Sequence, residues 1–545
     1  MSLVKSIGQF VDDTLIDLAR SFRFSYLPPL MVYVAAGISG LTGIVGVFFI
    51  KDYLNLSAAF LAGLGFWAGI PWALKMPLGH LVDLIWSRKN YLVFVGAGFI
   101  TLSLGIMYGL IVHTEFMASI LKVETWFIVS ALLAPVGYVT QDVVADAMTV
   151  EAVPSTDDQG IKYSTQQIKI MHTTMQTLGR FAIIGGFVLV ALVNVVMFAG
   201  VSALSEAEKI EIYGRIYLYA LIIPLVSVSG VFLAMYLKRQ RLEQLKKSSG
   251  VGDEELKKIM AEFSVSTQPN WWILGGSLVF VIFTLGVGIL KVPFAQEIVF
   301  LGSMLIILFL MKKLIIELPK ESRFVVVGTA IIIFVFRAMP GPGPSLGWFE
   351  IDVLDFDQHF FSLLSLIASA LTLVGIVIFR PFMAKNSIAK IIVILSIVGS
   401  ILFLPSVGMY YGFHNWTSSL TNGVVDARFI AIVNTALESP LGQISMIPLL
   451  AWIAKNAPSH LKATFFAIFA SFTNLALSAN ALGAKYLNEI FIVTRAVKDK
   501  VTDAILSTAD YSELGLLLII VTVMTLCIPI VTVWAIQQSK FKTDE

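Results

Sequence analysis

Three acids, Asp142, Asp146 and Glu151, fall within ten residues in "GYVTQDVVADAMTVEAVPS" (137–155), at the end of one of the most apolar segments of the chain. Asp142 and Asp146 are four residues apart, so on a helix they share one face. A carboxylate in an apolar bilayer is costly unless it is paired or faces water. The partners must therefore be cations at matching depth on neighbouring helices. Arg180, in "MHTTMQTLGRFAIIGG", and Lys75, just before "GHLVD", have the right charge and position. The expectation is a coupled Asp142–Arg180 pair, with Lys75 and Glu151 nearer the lipid boundary. Such a cluster either binds substrate or protons and re-pairs between states, or braces the helices statically.

A second pair is expected in the other half of the chain. Arg337, in "FVFRAMPGPGPSLGWFE", and Glu438, in "NTALESPLGQ", both fall near the middle of apolar windows, each beside helix-breaking residues. Irregular backbone at membrane depth is tolerated where it lines a cavity or is covered by protein. Glu438 is the expected proton carrier, and a fixed Glu438–Arg337 brace is its rival. Trp67, Tyr138 and Trp348 are available to stack on a flat ligand. Of the six histidines only His172 is near the charge cluster, and no metal spacing occurs. No metal, cofactor or nucleic-acid partner is expected.

The solvent around these charges follows from composition. The chain has 545 residues, of which 57% are hydrophobic and 14% charged, with a mean hydropathy of +0.85. Soluble chains carry about twice that share of charge, so this is an all-α polytopic membrane protein. The single cysteine, Cys527, excludes an intrachain disulfide framework. Residues 1–29 lack the pattern of a signal peptide and read as a cytoplasmic amphipathic segment.

A spanning helix needs about 20 apolar residues. Six such windows lie within 30–237. A Lys/Arg-rich linker follows at 238–270, and then two windows within 271–322, six more within 323–537, and a tail at 538–545. That is about 14 transmembrane helices. Basic residues gather in alternate connections, which puts both termini in the cytoplasm of a cell whose plasma (inner) membrane holds the chain. The connection 486–512, with Arg495, Lys498 and Lys500, departs from that rule.

An internal repeat assigns the windows to halves. "FIKDYLNLS" (49–57) matches "FEIDVLDFD" (349–357) at an offset of 300, pairing Asp52 with Asp352. "APVGY" (134–138) resembles "SPLGQ" (439–443) at an offset of 305. One six-helix unit thus occurs twice, with two extra spans between the copies, which is the layout of the major facilitator fold. The segment "GHLVDLIWSRK" (79–89) resembles the short loop motif of that superfamily, in which an acid and a basic pair form a gating relay. The resemblance points to Gly79, Asp83, Arg88 and Lys89, with Asp83 and Arg88 as the main carriers.

"FFIKDYLNLSAAFLAGLGFWAGIPWALKMPLGHLVD", "QDVVADAMTVE" and "APSHLKATFFAIFASFTN" are similar to stretches of the folate-biopterin transporter family. The resemblance spans helices 1–5 and 7–11. The insertion "TDDQGIKYSTQQIKI" and the two extra spans depart from its pattern. It implies uptake of a folate or pterin by a monomeric, proton-coupled symporter working by alternating access. On that reading Asp142 or Glu438 accepts the amino-pyrimidinone edge of the ring, and Arg180 or Arg337 holds the glutamyl carboxylates. A permease for muropeptides or peptides is the alternative, since muropeptide permeases have a related Q-D-x-x-x-D-A run. A non-transporting receptor or scaffold on the same fold is the third reading. Paired aspartates on one helix face without a G-x-G-D context do not make an intramembrane enzyme.

Overall fold

The computed structural model describes residues 22–54, 56–73, 75–154, 163–249, 271–289, 292–316, 320–379, 382–383, 386–442, 444, 462–498 and 505–543. The expected amphipathic segment falls mainly on residues 1–21, and most of the linker on 250–270, so both lie outside the described residues.

The chain is almost wholly helical. The first span is interrupted, with α1 (Leu27–Ile38), a 3-10 turn at Ser39–Thr42 and α2 (Gly43–Tyr53). The second comprises α3 (Ala58–Ala73) and α4 (Lys75–Leu84). Next come α5 (Asn90–Val112), the short α6 (Thr114–Ile120), α7 (Val123–Ala152), α8 (Thr165–Met197), α9 (Glu206–Ala220) and α10 (Ile222–Ser249). The two inserted helices are α11 (Trp271–Ile289) and α12 (Ala295–Ile315). The second repeat begins with α13 (Lys320–Arg337), a break, and α14 (Pro344–Asp352). It continues through α15 (Gln358–Ile378), α16 (Ile388–Tyr410), the short α17 (Phe413–Leu420), α18 (Ala427–Glu438), α19 (Lys462–Ile490) and α20 (Leu514–Gln537). A small antiparallel pair, β1 (Val497–Lys498) and β2 (Ile505–Ser507), sits in the connection before α20.

Among the described residues ten helices are long and apolar enough to cross a membrane. The other four expected windows fall on α11, on the interrupted α13 and α14, on α18, which covers only the first part of its window, and on α19; most of residues 443–454 lie outside the described residues. The protein is therefore an all-α polytopic membrane protein, with ten candidate spans among the described residues, several of them broken into two helical pieces.

The repeat is visible as matching breaks. The first helix of each repeat stops and resumes, and the resumed pieces α2 and α14 end at equivalent places, next to Asp52 and Asp352. In the second copy the Pro-Gly run frees backbone carbonyls that a bilayer cannot satisfy. Two asparagines of α19 take them up: Asn480 Nδ2 donates to the Met339 carbonyl, and Asn488 Nδ2 donates to that of Pro342 at 3.1 Å. Asn488 Oδ1 also accepts from Ser345 Oγ at 2.5 Å. Gly343 has φ 67°, a backbone conformation that favours glycine, and a Cβ there would press on Asn488 Nδ2 at 2.9 Å. The break is thus a splice between α13–α14 and α19.

Helix α7, which carries the acids, is set against α5 by a glycine crossing. A Cβ on Gly96 would lie 2.6 Å from the Gly137 carbonyl oxygen, and one on Gly137 2.7 Å from that of Gly96. Small residues of this kind let membrane helices approach closely. Gln141 then spans the gap, donating from Nε2 to the Val93 carbonyl and to Ser227 Oγ, both at 3.0 Å.

The inserted helices pack outside the repeats, across the seam between α3 and α19. Phe280 of α11 and Val299 of α12 share a cluster with Phe66 and Ile70 of α3 and Leu482 of α19. Gln296 Nε2 donates to the Gly63 carbonyl at 3.0 Å, and Glu297 Oε1 accepts from Lys485 Nζ at 3.1 Å and from the Tyr486 hydroxyl.

Candidate functional site

Lys75, the first residue of α4, bridges both acids of α7. Its Nζ lies 2.6 Å from Asp142 Oδ2 and 2.8 Å from Asp146 Oδ2. The Tyr33 hydroxyl of α1 donates to Asp146 Oδ1 at 2.7 Å. Three helices therefore meet on one polar point, whose side chains are 22% exposed at Lys75, 15% at Asp142 and 45% at Asp146. The end of α3 just before it touches the second repeat, because Asn474 Nδ2 of α19 donates to the Trp72 carbonyl at 3.0 Å. The cluster therefore lies beside the seam between the halves.

Arg180 is placed differently from the expectation. Its neighbour Gly179 lies against the Tyr33 ring, so the backbone reaches the cluster, but the guanidinium is exposed. Its charge is felt at Asp142 without a direct ion pair among the described residues. The cation that pairs with Asp142 is Lys75, which reaches both carboxylates at once from the start of α4. Glu151 belongs elsewhere too: its Oε1 is 2.6 Å from Lys89 Nζ, which also stacks 4.2 Å from the Trp86 ring.

That pairing changes the reading of the gating loop. Lys89, 4% exposed at its side chain, ties the loop to the end of α7. Arg88, expected as a main carrier, is exposed, because the 3-10 turn Trp86–Arg88 turns it away while Lys89 folds inward. The Asp83 side chain is outside the described residues. Gly79 lies within α4 with open space where a Cβ would be, so packing does not require glycine there.

The second expected pair is not formed. Arg337 ends α13 at the break and is half-buried, whereas Glu438 ends α18 and is exposed. No ion pair joins them among the described residues, and only burial bears on the Glu438 carboxyl. The fixed brace is absent from this conformation. The 3-10 turn Ser439–Leu441 that follows α18 is held by a tight crossing: a Cβ on Gly375 of α15 would meet the Pro440 carbonyl oxygen at 2.2 Å.

The three stacking candidates sit in three different surroundings. Trp67 packs on Phe66 at 5.4 Å and lies against Gly288 of α11, so it faces the inserted helices. Tyr138 is packed against the core of the first repeat. Trp348 is 2% exposed and lies under the Arg495 guanidinium, 4.3 Å from its ring centre. An aromatic at helical spacing carries no information about which neighbour it will face.

Sequence reasoning missed a second charged centre, at the face away from the termini. Lys51 Nζ contacts Asp52 Oδ1 at 3.0 Å and also Asp352 Oδ1. The Tyr511 hydroxyl donates to Asp352 Oδ2 at 2.5 Å. Arg495 donates from Nε to the Lys51 carbonyl at 3.2 Å and from Nη2 to that of Leu54. The signal was present: Asp52 and Asp352 were already paired by the repeat, and Arg495 was the charge that broke the loop rule.

Comparisons with known proteins bear on what this arrangement serves. The model of the BT1 family matches residues 36–544. The folate-biopterin transporter of Synechocystis sp. (strain ATCC 27184 / PCC 6803 / Kazusa) is 20% identical over 465 residues, covering 84% of this chain and 74% of the relative. Among solved structures, a POT family transporter in complex with 5-aminolevulinic acid superposes with a TM-score of 0.58 at 11% identity, over 94% of this chain and 95% of that one. The nucleoside transporter NupG gives 0.51 at 12% identity, over 96% of this chain and 100% of that one. These structural likenesses concern the fold, which is that of the major facilitators.

Proposed function

The chain belongs to the BT1 family and is a multi-pass membrane transporter, and from that premise we propose that it carries a folate or pterin together with protons by alternating access. The Lys75–Asp142–Asp146 cluster carries this reading. Two carboxylates share one ammonium, so the site has one more negative than positive charge. An uncompensated charge at membrane depth is costly. A proton or a cationic edge of the substrate neutralises it, and Arg180 at the rim supplies a positive field for an anionic tail.

The chemistry suits a pterin. Its amino-pyrimidinone edge offers two parallel N–H donors, which one carboxylate accepts as a fork, and a charge-assisted pair of that kind is roughly twice as strong as a neutral one. Asp142 supplies the fork when Lys75 moves onto Asp146. Tyr33 keeps Asp146 oriented throughout. The relative in Synechocystis is named for folate and biopterin, and this supports the same substrate class here. We place the chain in the plasma membrane with both termini cytoplasmic, which makes the Lys51 face external.

The test is uptake of labelled folate and biopterin into proteoliposomes with and without a pH gradient, with a muropeptide and a dipeptide as competitors. Gradient-stimulated folate or pterin uptake is expected. Uptake of muropeptide alone would overturn the substrate assignment, and binding without any uptake would overturn transport.

A further inference from the structure

The charged centre at the face away from the termini has a feature that ordinary ion-pair packing does not require. Three of its contacts cross between the repeats: Lys51 to Asp352, and Arg495 to the carbonyls of Lys51 and Leu54. Each of the three charged side chains also has a partner within its own half. Lys51 has Asp52, its sequence neighbour, at 3.0 Å. Asp352 has the Tyr511 hydroxyl at 2.5 Å and the Ala496 backbone N–H at 3.4 Å. Arg495 has the face of Trp348 at 4.3 Å.

Further contacts between the repeats close around this centre. Phe48 of α2 meets the edge of Phe361 of α15 at 5.8 Å. Gln358 Nε2 donates to the buried Tyr213 hydroxyl at 2.5 Å. Ala58, at the start of α3 and 2% exposed, is enclosed in a cluster with Trp348 and Phe349 of the second repeat. The two halves are therefore sealed here.

We propose that Lys51, Asp352 and Arg495 form a re-openable lock between the repeats, and that Asp52, Tyr511 and Trp348 are resident partners that hold each charge when the halves part. Removing one member of a buried pair is costly because the other charge is stranded. A lock whose charges each fall back on a partner in their own half avoids that state, so opening exchanges contacts instead of abandoning them. Lys51 touches both Asp52 and Asp352, which are repeat-equivalent, and the device gives them opposite roles. Asp352 holds the seal closed, and Asp52 makes opening possible. The proposal rests on transport by alternating access, which requires this seal to open.

The experiment uses the full chain in detergent with Cys527→Ser, so that one engineered thiol reports. Ala58→Cys places it under the lock, and the rate of reaction with a water-soluble maleimide measures opening. Asp352→Asn is expected to raise that rate about tenfold, within the usual range of coupling between states. Asp52→Asn is expected to lower it several-fold, because opening then strands Lys51. Tyr511→Phe is expected to lower it too, and it substitutes for Asp52→Asn should that variant fail to fold. A shift in the same direction for Asp52→Asn and Asp352→Asn, or no shift in either, would overturn the proposal. Labelling is read without substrate, so a failure of folate uptake alongside opposed labelling responses would count against the substrate reading alone.

Discussion

Lys75 and Asp142 form a 2.6 Å ion pair that joins the second span to the fourth, and the same ammonium holds Asp146 at 2.8 Å. One lysine is therefore the counter-charge for a helix face that carries two acids. Helical spacing alone required that face, and the lysine makes it tolerable at membrane depth.

Lys75→Gln leaves two facing carboxylates without a cation. Uptake is expected to fall at least a hundredfold, with a stability loss of about 2 kcal/mol, below the usual cost for a fully buried pair because Asp146 is half exposed. The double variant Lys75→Gln, Asp142→Asn is expected to regain most of the stability and none of the uptake. Thermal unfolding in detergent together with vesicle uptake reads both, and a double variant no more stable than Lys75→Gln would contradict the pairing.

Arg180→Gln should behave differently, because its guanidinium is exposed and outside the ion pair. The fold is expected to be unaffected within about 0.5 kcal/mol. Affinity for an anionic folate should fall about tenfold while affinity for an uncharged pterin is kept. Competition binding with the two ligands measures this, and equal losses for both would remove Arg180 from tail recognition.

Asn488→Leu tests the splice at the broken helix. It strands the Pro342 carbonyl and the Ser345 hydroxyl in an apolar setting, at a cost of about 1–3 kcal/mol for each unsatisfied group. A drop of several degrees in the unfolding midpoint is expected. An unchanged midpoint would mean that water already serves these groups.

Glu438 has no ion-pair partner among the described residues in this conformation, and the proposed proton coupling assigns it the loading role. Glu438→Gln is expected to abolish accumulation driven by a pH gradient while substrate exchange continues, since exchange needs no net proton movement. Vesicle assays of both modes decide it. Retained gradient-driven accumulation would move the coupling role to Asp142 or Asp146.

Glu297→Gln should separate the inserted helices from transport. The Lys485 and Tyr486 contacts weaken, with a stability loss of up to about 1 kcal/mol and uptake within twofold of the parent. A large fall in transport rate would show that the inserted pair, which straddles α3 and α19, takes part in the rocking of the halves.

Several features were determined by the sequence alone. Composition specifies the solvent, apolar run length picks out the ten long apolar helices found among the described residues, and the 300-residue offset lines up the breaks before α2 and α14, because each is a local or periodic property of the chain. The four-residue spacing of Asp142 and Asp146 likewise determines that they share a face. Which cation meets them was decided only by tertiary structure. Residue counting supplies only an approximate depth, and by depth Arg180 was the expected partner; the rotation of each helix about its axis comes from packing, here from the Gly96–Gly137 crossing and the seating of Tyr33 on Gly179. The same limit applies to Trp67, turned toward the inserted helices, and to Arg88, turned outward beside an inward Lys89. It applies most clearly to Asp52 and Asp352. The repeat makes them equivalent by sequence, but only the closing of the two halves brings both to Lys51, because a contact between distant segments depends on how whole bundles pack and not on any local pattern.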